Sequence, residues 1–258
     1  MPKFAANLTM MFHEVPFLER FGRAAAAGFK GVECTFPYDH SPAQLAELLE
    51  QYDLTQVVFN LPPGNTAAGE CGLAALPGRE GEFYDSVEHA IEYALALGCL
   101  QVHVMAGRII DESQRPKMRE QYLSNLRYAA RCVAEYGLTL LIEPINTRTR
   151  PGYFLNYQVE AHVILTELNE PNLKVTMDFF HMQIMDGDLA QNFKRFQAAV
   201  GHVQIAGVPD RHEPNMGEVN YPYLLQLLDD CDYEGWVGCE YRPRGLTEDG
   251  LGWLASWK

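Results

Sequence analysis

The feature that most constrains the fold is a regular alternation of short apolar runs with longer amphipathic stretches. The short apolar runs predict eight strands, which cover residues 4–8, 31–34, 55–60, 101–105, 138–143, 174–178, 202–206 and 236–240. Helical patterns lie between and after them, near residues 16–27, 42–52, 82–98, 114–136, 158–169, 188–199, 221–231 and 247–257. Buried strands that are each followed by a helix predict a parallel sheet that is covered on its outer face.

Eight strand–helix units in 258 residues predict an α/β protein with a single (β/α)8 TIM barrel domain over residues 1–258. An open doubly wound sheet has fewer strands and would leave several of these units unexplained. No GxGxxG motif opens the first helix, so a dinucleotide-binding fold has no support. The longest connection, residues 60–83, follows the third strand and is expected to form a lid or a binding loop.

The composition limits the kinds of molecule that this protein is expected to bind. The net charge of −14 argues against binding to nucleic-acid phosphates, and it means that an anionic substrate depends on local arginine or lysine side chains. The six cysteines form no CxxC pair, which favours reduced thiols. The N-terminal segment lacks the features of a signal peptide, and no run approaches the ~18 apolar residues of a membrane span. A cytoplasmic protein without membrane contact is therefore expected.

Oxygen-bearing side chains stand at or near the ends of the last four predicted strands: Glu143, Asp178, Gln204 and Glu240. Because the carboxyl ends of barrel strands meet at one mouth, these side chains are expected to converge. A set of oxygen ligands selects a hard cation, so the pattern predicts a Mg²⁺ or Mn²⁺ site rather than a Zn²⁺ site. Any one of the four could instead be a helix cap or an ion-pair partner, but four such caps need not all fall at strand ends.

Two further residues are candidates for binding substrate at this mouth. His181 follows Asp178 by three residues and could donate a hydrogen bond to a substrate oxygen, although a purely structural histidine is the alternative. Arg211 follows the seventh strand, where its planar guanidinium could bind a carboxylate or hydroxyls; the alternative is a solvated loop charge. Two histidines within strands are predicted to be interior, and three arginines are weaker anion-site candidates: His103 and His202, and Arg79, Arg108 and Arg242.

This residue set suits the movement of a carbonyl between adjacent carbon atoms. The reaction removes a proton from the carbon next to the carbonyl and returns a proton to the neighbouring carbon. A divalent cation that binds the substrate oxygens stabilises the negative charge of the enediolate. Carboxylates on the two sides of the substrate serve as base and acid, and Glu143 and Glu240 are the natural pair.

At these residues the chain resembles the hydroxypyruvate isomerase family of the xylose-isomerase-like TIM barrels. The resemblance covers nearly the whole length and is carried by the segments FAANLTMMF, LPGRE, VHVMAG, LIEPIN, HVQIAGVPDRHEP, GEVNY and GWVGCEYRP. The segments AGVPDRHEP and EYRPRGLTEDGLGW are nearer to the 2-oxo-tetronate isomerase branch, whereas LIEPIN and HMQ are nearer to plain hydroxypyruvate isomerases.

The resemblance implies a metal-dependent barrel that interconverts hydroxypyruvate and tartronate semialdehyde, or a homologous 2-oxo-tetronate, through a cis-enediolate. It implies that Glu143 and Glu240 carry the proton and that Asp178 and Gln204 complete a Mg²⁺ or Mn²⁺ shell with them. In the related ketose 3-epimerases, the residues that match His181 and Arg211 contact substrate. The expected partner is a small hydroxy-keto acid.

Other functions stay open at this stage. A ketose 3-epimerase is the nearest alternative, although those enzymes typically have a histidine where Gln204 stands. A metal phosphodiesterase of the endonuclease IV type shares the barrel, but its site is rich in histidine and must attract DNA. A sugar-acid-binding barrel without catalysis is disfavoured, because all four predicted ligand positions are chemically competent. The sequence does not separate Mg²⁺ from Mn²⁺, and it leaves a homo-oligomer open.

Overall fold

The computed structural model describes residues 1–257, and its strands form one parallel sheet in the order β3-β2-β1-β9-β8-β7-β6-β5-β4. The strands are β1 (Lys3–Asn7), β2 (Gly31–Glu33), β3 (Thr55–Gln56), β4 (Phe59–Asn60), β5 (Gln101–His103), β6 (Thr139–Ile142), β7 (Leu173–Asp178), β8 (Val200–Ile205) and β9 (Trp236–Cys239). Except between β3 and β4, helices connect successive strands and cover the outside of the sheet. The predicted TIM barrel is confirmed.

The third predicted strand, residues 55–60, forms two short segments, β3 and β4. Regular strand pairing is interrupted at residues 57 and 58. β3 pairs with β2, and β4 pairs with β5. Backbone hydrogen bonds bridge the interruption: Val57 donates to Val32 at 2.8 Å, and Asn60 donates to Thr35 at 2.8 Å. The two segments together therefore take the place of one strand in an eight-stranded barrel. They join the two edges of the sheet.

The described α-helices are α1 (Arg20–Ala26), α2 (Pro42–Tyr52), α3 (Glu80–Leu97), α4 (Arg115–Ala134), α5 (Gln158–Leu168), α6 (Phe179–Met185), α7 (Leu189–Phe196) and α8 (Tyr221–Asp230). Three of the predicted helices differ in kind. Phe17–Glu19 and Gln197–Ala199 form 3₁₀ turns beside α1 and α7, and Glu248–Trp257 is 3₁₀ throughout. The last segment contains two glycines, which weaken an α-helix by about 1 kcal/mol each.

Helix α6 was not predicted from the sequence, because it begins at once where β7 ends and no turn residues separate the two elements. Asp178 is both the last residue of β7 and the residue that caps α6, since its Oδ1 accepts a hydrogen bond from the Phe180 amide at 2.7 Å. This cap places His181 in the first turn of the helix, directly above the barrel mouth. The local sequence thus explains how a strand-end carboxylate and a helical histidine come together.

The barrel interior changes from apolar to polar along the strands. Ala5 and Leu141 belong to a small interior cluster, and side chains two positions further along a strand point to the same face. Asn7 and Glu143, two residues after them, are also buried. The apolar layer supports the barrel from below, and the polar layer above it forms the floor of the mouth.

Among the described residues, no helix is long and apolar enough to cross a membrane.

Candidate active site

The four predicted metal ligands converge at the carboxyl ends of four adjacent strands. Glu143 follows β6, Asp178 ends β7, Gln204 lies next to the end of β8, and Glu240 follows β9. Asp178 and Gln204 are direct neighbours across the β7–β8 ladder. Glu143, Gln204 and Glu240 line one small cavity. Ligand atoms of Glu143, Asp178 and His181 lie within 4.8 Å of one another.

The electrostatics of this cluster favour a bound cation. Burial raises the pKa of Glu143 well above its usual range, and the neighbouring Glu240 and Asp178 carboxylates raise it further. Burial also raises the pKa of Asp178, and it raises the pKa of Glu240 to about 7 although Arg211 opposes the shift. Three crowded carboxyl groups with little access to water gain from a positive charge placed among them.

Two buried oxygen atoms of the cluster have no hydrogen-bond partner within the described protein: Oε1 of Glu143 and Oε1 of Gln204. Buried polar atoms are normally satisfied, so such atoms indicate a missing partner. Carboxylate and carboxamide oxygens are ligands that Mg²⁺ and Mn²⁺ accept, and zinc sites more often contain nitrogen or sulfur. The residues present therefore fit a hard divalent cation, held by Glu143, Asp178, Gln204 and Glu240.

His181 presents one defined nitrogen to the carboxylates. Its Nδ1 lies 3.2 Å from the Asn146 backbone nitrogen and 2.6 Å from Asn146 Nδ2, which donate to it. Asn146 cannot turn its amide, because its Oδ1 accepts from the backbone nitrogens of Arg148 and Thr149. Burial lowers the pKa of His181 well below its usual value. The imidazole is therefore neutral, with its proton on Nε2, 3.5 Å from Asp178 Oδ2.

Arg211 is tied to two of the carboxylates. Its Nη2 donates to Glu240 Oε2 at 2.6 Å and to Asp178 Oδ2 at 3.4 Å, and its guanidinium lies over the Phe180 ring. Burial opposes the charge of Arg211, but Glu240 and Asp178 outweigh it and raise the pKa of the guanidinium. Arg211 therefore stays charged at the floor of the mouth, where it partly neutralises the carboxylates and borders the cavity into which the mouth opens.

The mouth opens into a cavity of about 870 Å³ that reaches Glu240 and Arg211. Arg150 and Arg242 also line it, so three guanidinium groups surround the space above the carboxylates. Arg150 was not singled out from the sequence, although it lies in the loop that follows the strand-end Glu143. Three acidic residues line the same cavity, so the arginines provide individual groups that can bind an anion rather than a net positive charge.

The long loop of residues 60–83 borders a second cavity of about 300 Å³, which shares Arg150 with the first and is also lined by Arg108. The loop therefore lies beside the mouth, and its role as a lid or a binding loop stays a prediction. Arg79 lines neither of these two cavities, because it pairs with Glu70 and Glu82 of the loop and its helix. Its interpretation as an anion-site candidate is wrong, since its charge is taken by carboxylates of the chain itself.

The two histidines predicted to be interior are buried in the barrel. His103 Nδ1 lies 3.0 Å from Asn60 Oδ1, and burial lowers the pKa of His103 to about 3, so its ring is neutral. His202 contacts Glu33, a residue that sequence reasoning missed. Glu33 ends β2 in the same way that Asp178 ends β7, but it follows a run of only two residues, which gives a weaker signal.

Comparison with known proteins adds three findings. Residues 21–257 match the model of the family described as xylose isomerase-like TIM barrel. The chain is 54% identical to a 2-oxo-tetronate isomerase of Cupriavidus necator, over 100% of this chain and 99% of that protein. It is 42% identical to a hydroxypyruvate isomerase of Escherichia coli K12, over 100% of both chains.

Among solved structures, the crystal structure of AP endonuclease, family 2, from Brucella melitensis is similar with a TM-score of 0.98, 54% sequence identity and 100% coverage of both chains. A D-allulose 3-epimerase from Methylomonas sp. superimposes with a TM-score of 0.77 at 19% identity, which speaks for the fold alone.

Proposed function

This chain belongs to the xylose isomerase-like TIM barrel family, and from that premise we propose that it is a divalent-metal-dependent isomerase of short hydroxy-keto acids. The isomerase class is confirmed by full-length relatives at 42% to 54% identity, as is the predicted family resemblance. The metal, the substrate and the residue roles are the proposal. The observation that carries it is the convergence of Glu143, Asp178 and Glu240 around unpartnered buried oxygens.

The proposed substrate is 2-oxo-tetronate, with hydroxypyruvate as the shorter homologue. The relative at 54% identity is named for the first compound, and the relative at 42% identity for the second. A cavity of about 870 Å³ has room for the longer chain of the tetronate. The arginines of the cavity wall would bind the substrate carboxylate by charge-assisted hydrogen bonds.

The mechanism follows from the positions of the acidic groups. When bound, the cation withdraws electron density from the carbonyl and hydroxyl oxygens of the substrate. One of Glu143 and Glu240 takes the proton from the carbon next to the carbonyl, and the other delivers a proton to the neighbouring carbon. A carboxylate can accept a proton and return it, so the pair can act as base and acid on the two neighbouring carbons. His181 donates from Nε2 to a substrate oxygen, and Arg211 keeps the carboxylates partly neutralised.

Solvent exchange tests this function directly. We expect the Mn²⁺-loaded enzyme in D₂O to introduce deuterium into 2-oxo-tetronate and hydroxypyruvate and to form the isomers, as followed by proton NMR. D-fructose is the comparison substrate, because a ketose 3-epimerase would exchange the hydrogen on carbon 3 of that sugar. Exchange into fructose with none into the acids contradicts the proposed substrate class. A barrel that only binds sugar acids gives no exchange at all.

An endonuclease function has one observation in its favour, which is the name of the similar Brucella structure. The site opposes it. The net charge of −14 repels DNA, and the four proposed ligand residues at the strand ends offer oxygen atoms. A cluster of zinc ions would need more nitrogen ligands than this mouth supplies.

Arg150 is expected to bind the substrate carboxylate. Arg150→Gln removes the charge and should raise KM for the keto acid about 10-fold to 100-fold, since a hydrogen bond to a charged group contributes ~1.5–3 kcal/mol. The value of kcat should change little, because this contact is the same in the ground state and the transition state. Arg108→Gln is the matched control, since Arg108 lines only the second cavity. Equal KM values for the two variants would contradict this role.

A further inference from the structure

Glu33 is a buried carboxylate that lies next to the proposed metal site without belonging to it. It ends β2 and is 1% exposed. Three side chains surround it with donors: Asn7 Nδ2 at 2.9 Å, Gln204 Nε2 at 2.8 Å and His202 Nε2 at 2.6 Å. The mechanism proposed above gives this group no proton to move, so its burial needs another explanation.

The position of Glu33 is anchored to the backbone. Asn7 Oδ1 accepts hydrogen bonds from the backbone nitrogens of Thr9 at 3.1 Å and Met10 at 3.2 Å, in the turn that follows β1. Because these bonds hold the oxygen of the Asn7 amide, its nitrogen must face Glu33. The backbone turn therefore sets the amide of Asn7, and Asn7 in turn sets one oxygen of Glu33.

The matching of hydrogen-bond donors with acceptors also fixes the amide of Gln204. A carboxylate only accepts hydrogen bonds, so Gln204 must present its amide nitrogen to Glu33 Oε1. The opposite end of the amide, Oε1, is then left buried without a partner in the cavity that Glu143 and Glu240 also line. A free carboxamide could turn by half a revolution at little cost and present its nitrogen instead, which cannot bind a cation.

We propose that Glu33 is a positioning residue, whose carboxylate fixes the Gln204 carboxamide so that its oxygen faces the metal site. The inference rests on the metal site of the proposed function. It assigns Glu33 an effect on cation affinity that acts through Gln204, without contact between Glu33 and the cation or the substrate.

The strand next to Gln204 leaves room for the carboxylate of Glu33. Gly238 of β9 lies next to Gln204 across the β8–β9 ladder, and a Cβ atom at Gly238 would overlap with the carboxylate oxygens of Glu33. The backbone at Gly238 does not itself require glycine, because its φ is not positive. The space is therefore the reason for glycine at this position, and Gly238→Ala would displace Glu33.

The pair also explains why an amide stands at position 204, where a carboxylate would bind a divalent cation more strongly on charge alone. With Glu33 Oε1 2.8 Å from the Gln204 amide, a second carboxylate at 204 would face a like charge at hydrogen-bond distance. One carboxyl group and one amide are required across this contact. For cation affinity, it should matter less which of the two residues carries the charge than that one is a carboxylate and the other an amide.

A charge exchange across the contact tests the inference. Mn²⁺ affinity is measured by isothermal titration calorimetry for the wild type, Glu33→Gln, Gln204→Glu and the double variant. We expect Glu33→Gln to weaken Mn²⁺ binding about 10-fold to 100-fold, as is usual for residues that orient a metal ligand. Gln204→Glu should also weaken it, through repulsion from Glu33. The double variant restores one carboxyl group and one amide, and it should bind Mn²⁺ within about threefold of the wild type or more tightly.

The matched control is Glu213→Gln, which replaces another buried glutamate that accepts a hydrogen bond from the Arg244 amide and lines a separate cavity. It should leave Mn²⁺ affinity unchanged. A kinetic readout separates positioning from structural damage: kcat of Glu33→Gln should return to within about threefold of wild type at saturating Mn²⁺. Gly238→Ala should reproduce the loss of affinity without changing the charge.

The outcomes separate the two proposals. If the wild type binds no Mn²⁺, the metal site of the proposed function is wrong. If the wild type binds Mn²⁺ and Glu33→Gln binds it equally well, the positioning role is overturned while the metal site stands. If Glu33→Gln does not fold by circular dichroism, the double variant decides: a folded double variant with restored Mn²⁺ binding supports the role, and loss of binding or of folding in it overturns the role.

Discussion

Glu143→Gln and Glu240→Gln are each expected to reduce kcat by a factor of about 10³ or more while the barrel stays folded. An amide has nearly the shape of a carboxyl group but cannot accept and return a proton, so the transfer at one of the two carbons is lost. Such a factor corresponds to about 4 kcal/mol in the barrier. The measurement is kcat at saturating Mn²⁺ and substrate, together with circular dichroism to show that the fold is retained.

Saturating metal is essential to this experiment, because both residues are also proposed cation ligands. Glu213→Gln is again the control, and it should keep wild-type kcat. Deuterium exchange adds a second readout: the variant that lacks the residue removing the proton loses exchange from D₂O into the substrate together with turnover. If either variant keeps more than about a tenth of wild-type kcat, the barrier has risen by less than ~1.4 kcal/mol, and the scheme with two proton-carrying carboxylates is wrong.

The barrel and the convergence of its acidic residues were predictable because both follow from periodicity. Short apolar runs that alternate with helical patterns indicate parallel strands, and parallel strands in a barrel end at the same mouth. Glu143 and Glu240 stand one residue beyond their strands rather than within them, which changes nothing in this argument. Side chains two positions apart share a face, so a polar residue that follows an apolar interior position must lie at the mouth.

Other parts of the site depend on contacts between residues that are far apart in the sequence. Glu33 is defined by its bonds to Gln204 and His202, which are 171 and 169 residues away. The amide of Asn146 matters only because the histidine of a later helix meets it. Arg150 is one of several arginines in loops, and its place in the cavity wall depends on how the loop folds. Local patterns carry no signal for such contacts.

Interruptions of regular structure were also missed, for a different physical reason. The apolar run at residues 57–59 spans the break without a turn residue, so it does not reveal that pairing is interrupted between β3 and β4. Helix α6 starts without the turn residues that usually separate a strand from a helix, because one side chain, Asp178, ends the first and caps the second. Tertiary packing decides both features, and sequence periodicity predicts neither.

Removal of the divalent cation is expected to make the stability of the protein depend on pH in a defined direction. Burial raises the pKa of Glu240 in the folded protein from its usual 4.5 to about 7. A group with a raised folded pKa stabilises the folded state fully below its unfolded pKa, and this contribution is lost as the pH rises through the folded pKa. The metal-free protein should therefore become less stable between about pH 4.5 and pH 7, as Glu240 ionises among Asp178 and Glu143.

Glu240→Gln isolates this effect, because glutamine mimics the protonated side chain at every pH. In the chelator-treated protein at pH 8, the variant is expected to be more stable than the wild type by on the order of 3 kcal/mol, because the pKa of Glu240 is raised to about 7 and each pH unit of such a change corresponds to ~1.4 kcal/mol. For a chain of this size, that corresponds to a Tm higher by about 5–10 °C. At pH 4 the two proteins should unfold at nearly the same temperature.

Addition of Mn²⁺ at pH 8 should remove most of this difference in stability. The cation compensates the crowded carboxylates of the wild type and stabilises it by about 2.7 kcal/mol at a hundred times its Kd, whereas the variant has lost one ligand and gains less. Differential scanning calorimetry at pH 4 and pH 8, with chelator and with Mn²⁺, gives the four comparisons. Identical Tm values for wild type and variant in chelator at pH 8 would show that Glu240 carries no ionisation penalty in the fold. Any difference in Tm between the two proteins would then come from metal binding alone, and the electrostatic account of cation binding at this mouth would fail.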